Sequence, residues 1–206
     1  SDERKVSRWA HASRTAEVRT RPRGSARAIA RLRFFTEDGV SEKYLVLRRH
    51  LDSKGRKWVR IRLPMRPNGT TGWVRREALG DYRIVRTHLR VNRRTLRATL
   101  YKKGRKIFST RIGVGARSTP TPAGRFYIRE RLRNLGGGEI YGPWAFGTSA
   151  YSVLSDWPGG GVIGIHGTNQ PELIPGRPSH GCIRMRNRDI SRLVKLMPIG
   201  TPVQIL

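Results

Sequence analysis

The feature that most constrains this chain is a series of short runs in which apolar and polar residues alternate, separated by turns. Residues 82–115 read YRIVRTHLRVNRRTLRATLYKKGRKIFSTRIGVG, a pattern that predicts three strands near 83–91, 95–102 and 106–114. The 23 glycines and 12 prolines among 206 residues favour turns over long helices. A helical pattern is clear in NRDISRLVKLMP, with Asn187 as the expected N-cap and Pro198 as the stop. The chain is therefore expected to be mainly β.

The strand pattern divides into two parts near Gly80–Asp81. Residues 1–15 are polar and are expected to form a flexible N-terminal segment. Residues 16–80 contain several short strand patterns and close with Gly72-Trp73-Val74, which follows an Asn-Gly turn. This segment resembles bacterial SH3-like domains, and the resemblance implies a small β-barrel that binds or positions rather than catalyses. Residues 81–206 form the second expected domain.

Net charge is the strongest global signal, because 43 Lys and Arg against 14 Asp and Glu give a formal net charge of +29. Such a field attracts anionic partners, for which nucleic acid, anionic membranes and anionic cell-wall polymers are candidates; a solubilising surface is the alternative. No apolar run approaches the roughly 20 residues of a membrane span, and no secretory signal is visible. The composition therefore indicates that the protein works among anionic partners, but it does not distinguish between functions.

The candidate chemistry centres on Cys182, the only cysteine in the sequence. A free thiol has a pKa of about 8.5, so a nucleophilic cysteine needs a nearby base or positive charge. His180 and Arg184 each stand two positions from Cys182, so an extended segment would present all three side chains on one side. Gly181 is expected to leave room there for a substrate, and His166 follows a strand-like run that could aim its imidazole at the thiol.

The residue pattern alone leaves three interpretations of this cysteine open. Backbone N–H groups of Gly181 and Cys182 could form an oxyanion hole, which would complete a site for acyl transfer. Two histidines and a cysteine could instead bind zinc, with Asp156 or Asp189 as the fourth ligand. A single cysteine could also be an ordinary small core residue.

A glycine-rich and aromatic segment precedes these residues. Three successive glycines at 136–138 predict a flexible flap that carries Tyr141, Trp144 and Phe146 toward a substrate cleft. The alternative is that these aromatic side chains fill the core beneath a loop.

Three motifs change the weight of these interpretations. The stretch SHGCIRM (179–185), preceded by IHGTN (165–169) and TPTPAGRF (119–126), resembles the L,D-transpeptidase catalytic domain of the YkuD-like family. The resemblance covers the region 81–206 and implies a β-sandwich catalytic domain. It implies that Cys182 is the nucleophile, that His166 accepts its proton while the Gly167 carbonyl orients the ring, and that His180 supports the substrate or oxyanion.

The remaining expected contacts with substrate come from the SHGC motif, the flap and Arg184. Ser179 and Gly181 belong to the SHGC motif, and Tyr141 belongs to the flap. Arg184 stands where many family members have asparagine, which bears on substrate contacts and leaves the reaction class unchanged. Its guanidinium fork is suited to a carboxylate.

The resemblance implies that the substrates are peptidoglycan stem peptides, joined by 3→3 cross-links, with no cofactor and no metal. It implies an exported protein of the periplasm or cell wall whose upstream segment has been removed. Anionic wall polymers are further expected partners, and no specific nucleic acid is expected. The alternatives are an L,D-carboxypeptidase, a protein-anchoring enzyme of the same fold, and a non-catalytic wall-binding protein. A papain-like peptidase is disfavoured because His166 precedes Cys182. The oligomeric state stays open.

Overall fold

The computed structural model describes residues 1–133, 138–156 and 158–206, which form two β-sheets and one α-helix. The prediction of a mainly-β chain is therefore confirmed. Within these three ranges no helix is both long and apolar enough to cross a membrane. Gly136 and Gly137 of the expected flap lie outside the described residues.

The N-terminal part folds into a seven-stranded sheet in the order β3-β2-β6-β5-β4-β1-β7. Its core contains Val18, Val46, Ile61 and Val74. The assignment of this part as SH3-like remains a prediction. The strands are β1 (Ser7–Ala10), β2 (Glu17–Arg19), β3 (Ala28–Arg31), β4 (Tyr44–Leu51), β5 (Lys57–Arg62), β6 (Thr71–Arg75) and β7 (Arg83–Val85), with a 3₁₀ turn at Arg76–Ala78.

Two sequence-based expectations about this sheet are wrong. The segment 1–15 is not a flexible tail, because it contains β1, which pairs with both β4 and β7. Trp9 and Ala10 are buried there, so apolar burial and strand pairing hold the segment in place. The sheet also continues beyond the expected boundary at residue 81, because Arg83–Val85 pairs with β1. The expected strand near 83–91 is therefore two strands in different sheets.

The C-terminal part forms a ten-stranded sheet in the order β10-β9-β8-β17-β12-β13-β14-β16-β11-β15. Short 3₁₀ turns lie at Gly138–Tyr141, Pro158–Gly161 and Pro171–Leu173. The strands are β8 (Thr87–Asn92), β9 (Arg97–Lys102), β10 (Arg105–Arg111), β11 (Gly113–Gly115), β12 (Gly124–Arg133), β13 (Trp144–Tyr151), β14 (Val162–His166), β15 (Gly176–Ser179), β16 (Ile183–Arg184) and β17 (Pro202–Ile205).

The helix α1 (Asn187–Leu196) packs its apolar side into the core of this sheet. Ile190, Leu193 and Val194 are buried, as the helical spacing predicts. The N-cap prediction is wrong, because Arg186 occupies the cap position and no side chain caps the helix. The Asn187 side chain is used elsewhere: its Oδ1 accepts a hydrogen bond from the Thr168 N–H at 2.9 Å.

The aromatic residues of the expected flap separate into different environments. Phe146 lies within β13 and is fully buried in the core, so its assignment to a flap is wrong. Trp144 begins the same strand, half-buried, with the Arg133 guanidinium 5.4 Å from its ring centre. Tyr141 remains outside the sheet, in the 3₁₀ turn that precedes β13.

The two sheets meet across a buried ion pair. The Arg129 side chain of β12 is fully buried; its Nε donates to Glu42 Oε1 at 3.0 Å, and a second nitrogen of its fork donates to Glu42 Oε2. Arg129 also donates to Glu37 at 2.8 Å. Partial burial raises the pKa of Glu37, but the charge of Arg129 outweighs it and lowers the pKa to about 2. Because a buried charge is costly without its partner, this pair ties the two sheets to one arrangement.

Replacing Arg129 should therefore destabilise the whole protein. In the variant Arg129→Met, buried Glu42 keeps only the longer contact with the exposed Arg33 guanidinium, at 3.4 Å, and we expect the free energy of unfolding to fall by about 3–5 kcal/mol in urea titrations. Arg14→Ala is the control, because the Arg14–Glu77 pair is exposed and its loss should cost under about 1 kcal/mol. Adding Glu42→Gln to Arg129→Met should restore part of the loss. Equal unfolding energies for Arg129→Met and the control would contradict this account.

Candidate active site

The site is built where two short strands from distant parts of the chain lie side by side. β14 and β16 run parallel, with Ile165 opposite Ile183 and His166 opposite Arg184. Gly164 stands two positions before His166 within β14, and Cys182 directly precedes β16. The Gly164 N–H donates to the Cys182 Sγ at 3.3 Å. This pairing brings together the thiol, the imidazole and the guanidinium that the sequence singled out.

His166 is held in the tautomer that a base requires. Its Nδ1 donates to the Gly167 carbonyl oxygen at 2.6 Å; because a carbonyl only accepts, Nδ1 carries the hydrogen and Nε2 presents its lone pair. The side chain is buried, and this burial lowers the pKa of His166 to about 4, with a smaller contribution from the Arg184 charge. The hydrogen bond to Gly167 acts in the opposite direction and raises the pKa. The imidazole is therefore neutral at neutral pH and able to accept a proton.

Cys182 is half-buried beside this ring. Burial raises the pKa of the Cys182 thiol, although the Gly164 N–H and the Arg184 charge act in the opposite direction. A β-carbon added at Gly164 would lie 3.6 Å from His166 Cδ2 and 3.7 Å from Cys182 Sγ, so both groups face the space that this glycine leaves open. At rest the site therefore holds a neutral thiol and a neutral imidazole, ready for transfer of a proton from sulfur to nitrogen.

The thiol and imidazole open into a surface cleft that also receives several of the other expected residues. Tyr141 meets the His166 ring edge-on, with the ring centres 4.9 Å apart, and His180 lies exposed at the rim. Gly167 and Gly181 are not among the residues that line the cleft, and each takes part in the site through its backbone groups. The lining residues are Ile140, Tyr141, Ser152, Gly161, Val162, Ile163, His166, Ser179, His180, Cys182 and Arg184.

The segment around Gly181 differs from the extended backbone that the sequence suggested. Gly181 has φ +125, a conformation that favours glycine, so His180 and Cys182 are not successive same-side residues of a strand. A β-carbon at Gly181 would come within 2.8 Å of Ile163 Cδ1, so the glycine is needed for packing within the protein. The expectation that Gly181 opens space for a substrate remains a prediction.

Ser179 holds this same turn together. Its Oγ donates to the Cys182 carbonyl oxygen at 2.6 Å and accepts from the Gly181 N–H at 3.2 Å. The Gly181 N–H is thus bonded within the protein, which leaves the Cys182 N–H as the remaining candidate of the expected oxyanion hole.

Three further side chains support the site and were not identified from the sequence. The Thr121 Oγ1 donates to the Gly181 carbonyl oxygen at 2.7 Å, and the Ser152 Oγ donates to the His180 carbonyl oxygen at 3.1 Å. Asn187 holds the backbone just after His166 through its bond to Thr168. The TPTPAGRF motif was the available signal for Thr121, whereas nothing in the sequence marked Ser152 for this position.

Arg184 supplies the fixed positive charge of the cleft. Its Nη1 donates to Gln170 Oε1 at 3.1 Å, and its buried Nε has no hydrogen-bond partner among the described residues. A carboxylate in the cleft would satisfy this guanidinium.

The zinc interpretation finds no support in this geometry. In the described ranges, no three His, Cys, Asp or Glu side chains come close enough together to hold a metal ion. Asp189 accepts a hydrogen bond from Thr110 Oγ1 at 2.7 Å, and Asp156 is exposed to solvent.

The neutral resting state predicts the pH dependence of thiol alkylation. Because burial raises the pKa of Cys182, its alkylation by iodoacetamide should rise with a midpoint above the ordinary value of about 8.5, as intact-protein mass spectrometry would show. In Arg184→Gln the midpoint should move higher still, because a charge that favours the thiolate is lost. A wild-type midpoint well below 8.5 would instead indicate a thiolate–imidazolium pair at rest.

Known proteins are similar to this chain over about three fifths of its length. A putative L,D-transpeptidase YkuD from Bacillus licheniformis is 40% identical over 124 residues, which is 60% of this chain and 65% of the relative. The Bacillus subtilis protein of the same name is 37% identical over 127 residues, 62% of this chain and 70% of the relative. This chain thus spans about two thirds of the length of these curated relatives.

Solved structures are similar over a comparable share. An Enterococcus faecium L,D-transpeptidase variant aligns with TM-score 0.47 and 28% identity over 58% of this chain and 49% of that one. The catalytic domain of an E. faecium L,D-transpeptidase acylated by ertapenem aligns with TM-score 0.45 and 26% identity, over 58% of this chain and 96% of that one. A family model of the L,D-transpeptidase catalytic domain, YkuD, matches residues 86–205. That match covers more than half of the chain, which therefore belongs to the YkuD family of L,D-transpeptidases.

Proposed function

We propose that this protein is a peptidoglycan L,D-transpeptidase that forms 3→3 cross-links through an acyl-enzyme on Cys182. The observation that carries the proposal is the placement of Cys182 and His166 in one cleft, with the imidazole fixed by Gly167 in the tautomer that accepts a proton. Membership of the family supplies the substrate class, the stem peptides of peptidoglycan.

The first half-reaction transfers the donor stem to the enzyme. As Cys182 Sγ attacks the carbonyl carbon of the third stem residue, its proton passes to His166 Nε2. The tetrahedral oxyanion is stabilised by the Cys182 N–H, with His180 at the rim as a further contact. The bond to the fourth residue then breaks, and the D-alanine amine leaves with the proton from His166. A thioester remains on Cys182.

The second half-reaction releases the thioester to an acceptor. The side-chain amine of the third residue in another stem attacks the thioester carbonyl, and His166 takes the proton that this amine loses. The C–S bond breaks, the thiol regains its proton, and an amide joins the two third residues. Water as acceptor would give an L,D-carboxypeptidase, and a protein lysine would give an anchoring enzyme.

The location and the additional partner follow from the substrate and the charge. Peptidoglycan lies outside the cytoplasmic membrane, so we place the enzyme in the periplasm or cell wall. We assign the anionic wall polymers to the outer face of the neighbouring strands β10, β9, β8, β17 and β12. Strand pairing there sets Arg90 between Thr99 and Gln204, and Gln204 beside Arg125. Arg97 and Arg111 are opposite each other on the same face, and all four arginines are exposed.

Intact-protein mass spectrometry tests the proposed reaction. Wild type and Cys182→Ala are each mixed with a disaccharide-tetrapeptide and separately with a carbapenem. A cysteine nucleophile attacks the carbonyl of the strained carbapenem β-lactam ring, and the ring opens. We expect a covalent adduct on wild type and none on Cys182→Ala, which should remain folded by circular dichroism. Cross-linked dimer among the soluble products would establish the amine acceptor.

Other products would change or overturn the proposal. Tripeptide without dimer would identify water as the acceptor and a carboxypeptidase. A wild-type protein that forms no adduct with either compound, or a Cys182→Ala variant that still turns over the tetrapeptide, would overturn the role of the thiol.

Arg184 should contribute mainly to binding of the substrate. Its loss removes a charge-assisted bond to a stem carboxylate, so Arg184→Ala should raise KM about tenfold while kcat changes little. Arg188→Ala is the matched control, because Arg188 lies on α1 outside the cleft lining and its side chain is exposed. An unchanged KM in Arg184→Ala, measured by initial rates of product release, would exclude the carboxylate contact.

A further inference from the structure

The connection between β5 and β6 in the N-terminal sheet holds the end of β13 in the catalytic sheet. Asn68 behaves there like a neighbouring strand: its Nδ2 donates to the Tyr151 carbonyl oxygen at 2.7 Å, and its Oδ1 accepts from the Tyr151 N–H at 2.9 Å. Both backbone groups of Tyr151 are thus satisfied by one side chain of the other sheet.

Arg66 extends the same contact along the chain. Its Nη2 lies within hydrogen-bond distance of three carbonyl oxygens, those of Ser152 at 3.0 Å, Leu154 at 3.1 Å and Gly160 at 3.0 Å. Its guanidinium carbon also lies 4.8 Å from the centre of the Tyr151 ring. Arg66 and Asn68, here called the clamp, therefore hold the chain on both sides of the cleft residues Ser152 and Gly161.

The Tyr151 side chain is fixed by the N-terminal sheet as well. Its ring is buried, and its hydroxyl group donates to Glu37 Oε1 at 2.7 Å and also lies 3.1 Å from the Pro64 carbonyl oxygen. Backbone and side chain of Tyr151 are thus both held by groups outside the catalytic sheet, which leaves this residue little freedom to move independently.

Ser152 carries this constraint to the nucleophile. It follows Tyr151 directly, its N–H donates to the Gly161 carbonyl oxygen at 2.7 Å, and its Oγ donates to the His180 carbonyl oxygen at 3.1 Å. His180 and Gly181 immediately precede Cys182. Two hydrogen-bonding steps therefore connect the clamp to the turn that presents the thiol.

We infer that the N-terminal sheet is a working part of the active site, in which Arg66 and Asn68 position the His180–Cys182 turn through Tyr151 and Ser152. The inference rests on the acyl transfer proposed above. Small displacements of a nucleophile are costly in rate, so the clamp should affect the chemical step more than the binding of the stem peptide. Arg66 and Asn68 are positioning residues, because neither of them lines the cleft.

The chemistry of the clamp explains why these residue types are required. Arg66 is exposed, so each of its bonds alone is weak, and its effect depends on three acceptors converging on one guanidinium. A lysine in its place keeps the charge and loses the planar group that lies over the Tyr151 ring. Asn68 needs one donor and one acceptor on the same side chain, which aspartate lacks when ionised.

The experiment compares Asn68→Ala, Arg66→Ala and the double variant with wild type. Arg60→Ala is the matched control: Arg60 is exposed on the same sheet, and its guanidinium bonds to Thr71 within that sheet. We expect kcat for the tetrapeptide to fall about tenfold in the double variant with KM within about twofold of wild type, because the turn is less well ordered. Arg66→Lys should retain an intermediate rate.

A second readout does not depend on activity. Amide hydrogen exchange of the segment 179–184 should be faster in the double variant than in wild type, and unchanged in Arg60→Ala. Wild-type kcat in the double variant, or exchange equal to that of wild type, would overturn the inference. If wild type fails to form an acyl adduct, the proposed function is wrong, and hydrogen exchange still decides whether the clamp orders the turn. Should the double variant not fold, Asn68→Ala alone provides both readouts.

Discussion

The parallel pairing of β14 with β16 is the contact on which the site depends. Parallel strands need a long connection between them, and here the connection runs from Gly167 to Cys182 and carries the SHGC motif. Buried Ile165 and Ile183 fix the register from the core side. Because a slip of one residue would turn every side chain to the opposite face, the same register that buries these isoleucines places His166 and Cys182 on the cleft side.

Burial then decides the electrostatic state of that cleft. Desolvation disfavours the charged form of both the Cys182 thiol and the His166 imidazole, so both groups are neutral at rest. Arg184 favours a thiolate and disfavours an imidazolium. Charge therefore develops within the site when the thiol attacks, where the Gly164 N–H already donates to the sulfur.

The catalytic sheet is supported from outside by the N-terminal sheet. The buried Arg129–Glu42 pair fixes the relation of the two sheets, and the clamp uses that relation to reach β13. The hydrogen bonds between the sheets end at Tyr151 and Ser152, next to the cleft. The N-terminal sheet, which was expected to bind or position rather than catalyse, thus contacts the structure that carries the Cys182 thiol.

Several features could be predicted because they depend on local sequence. Alternating residues gave β8–β10, helical spacing gave α1, and the SHGC and IHGTN motifs drew attention to Cys182, His180 and His166. The errors have a common physical cause, because each involved a residue whose partner is distant in the chain. The segment 1–15 is mostly polar but is ordered where Ser7–Ala10 pairs with β4. Phe146 is held in the core as part of β13, and Asn187 bonds to Thr168 instead of capping its helix.

The sequence by itself determined the mainly-β architecture, the strong positive charge and the motifs that mark Cys182 and His166 as candidates for the site, because these follow from residue types and their order. Tertiary structure alone decided what surrounds them. The neutral state of His166 and Cys182 comes from burial, the turn at Gly181 is fitted around Ile163, and the clamp from Arg66 and Asn68 exists only once two sheets are packed together. Such contacts join residues up to about 90 positions apart, over which sequence periodicity carries no information.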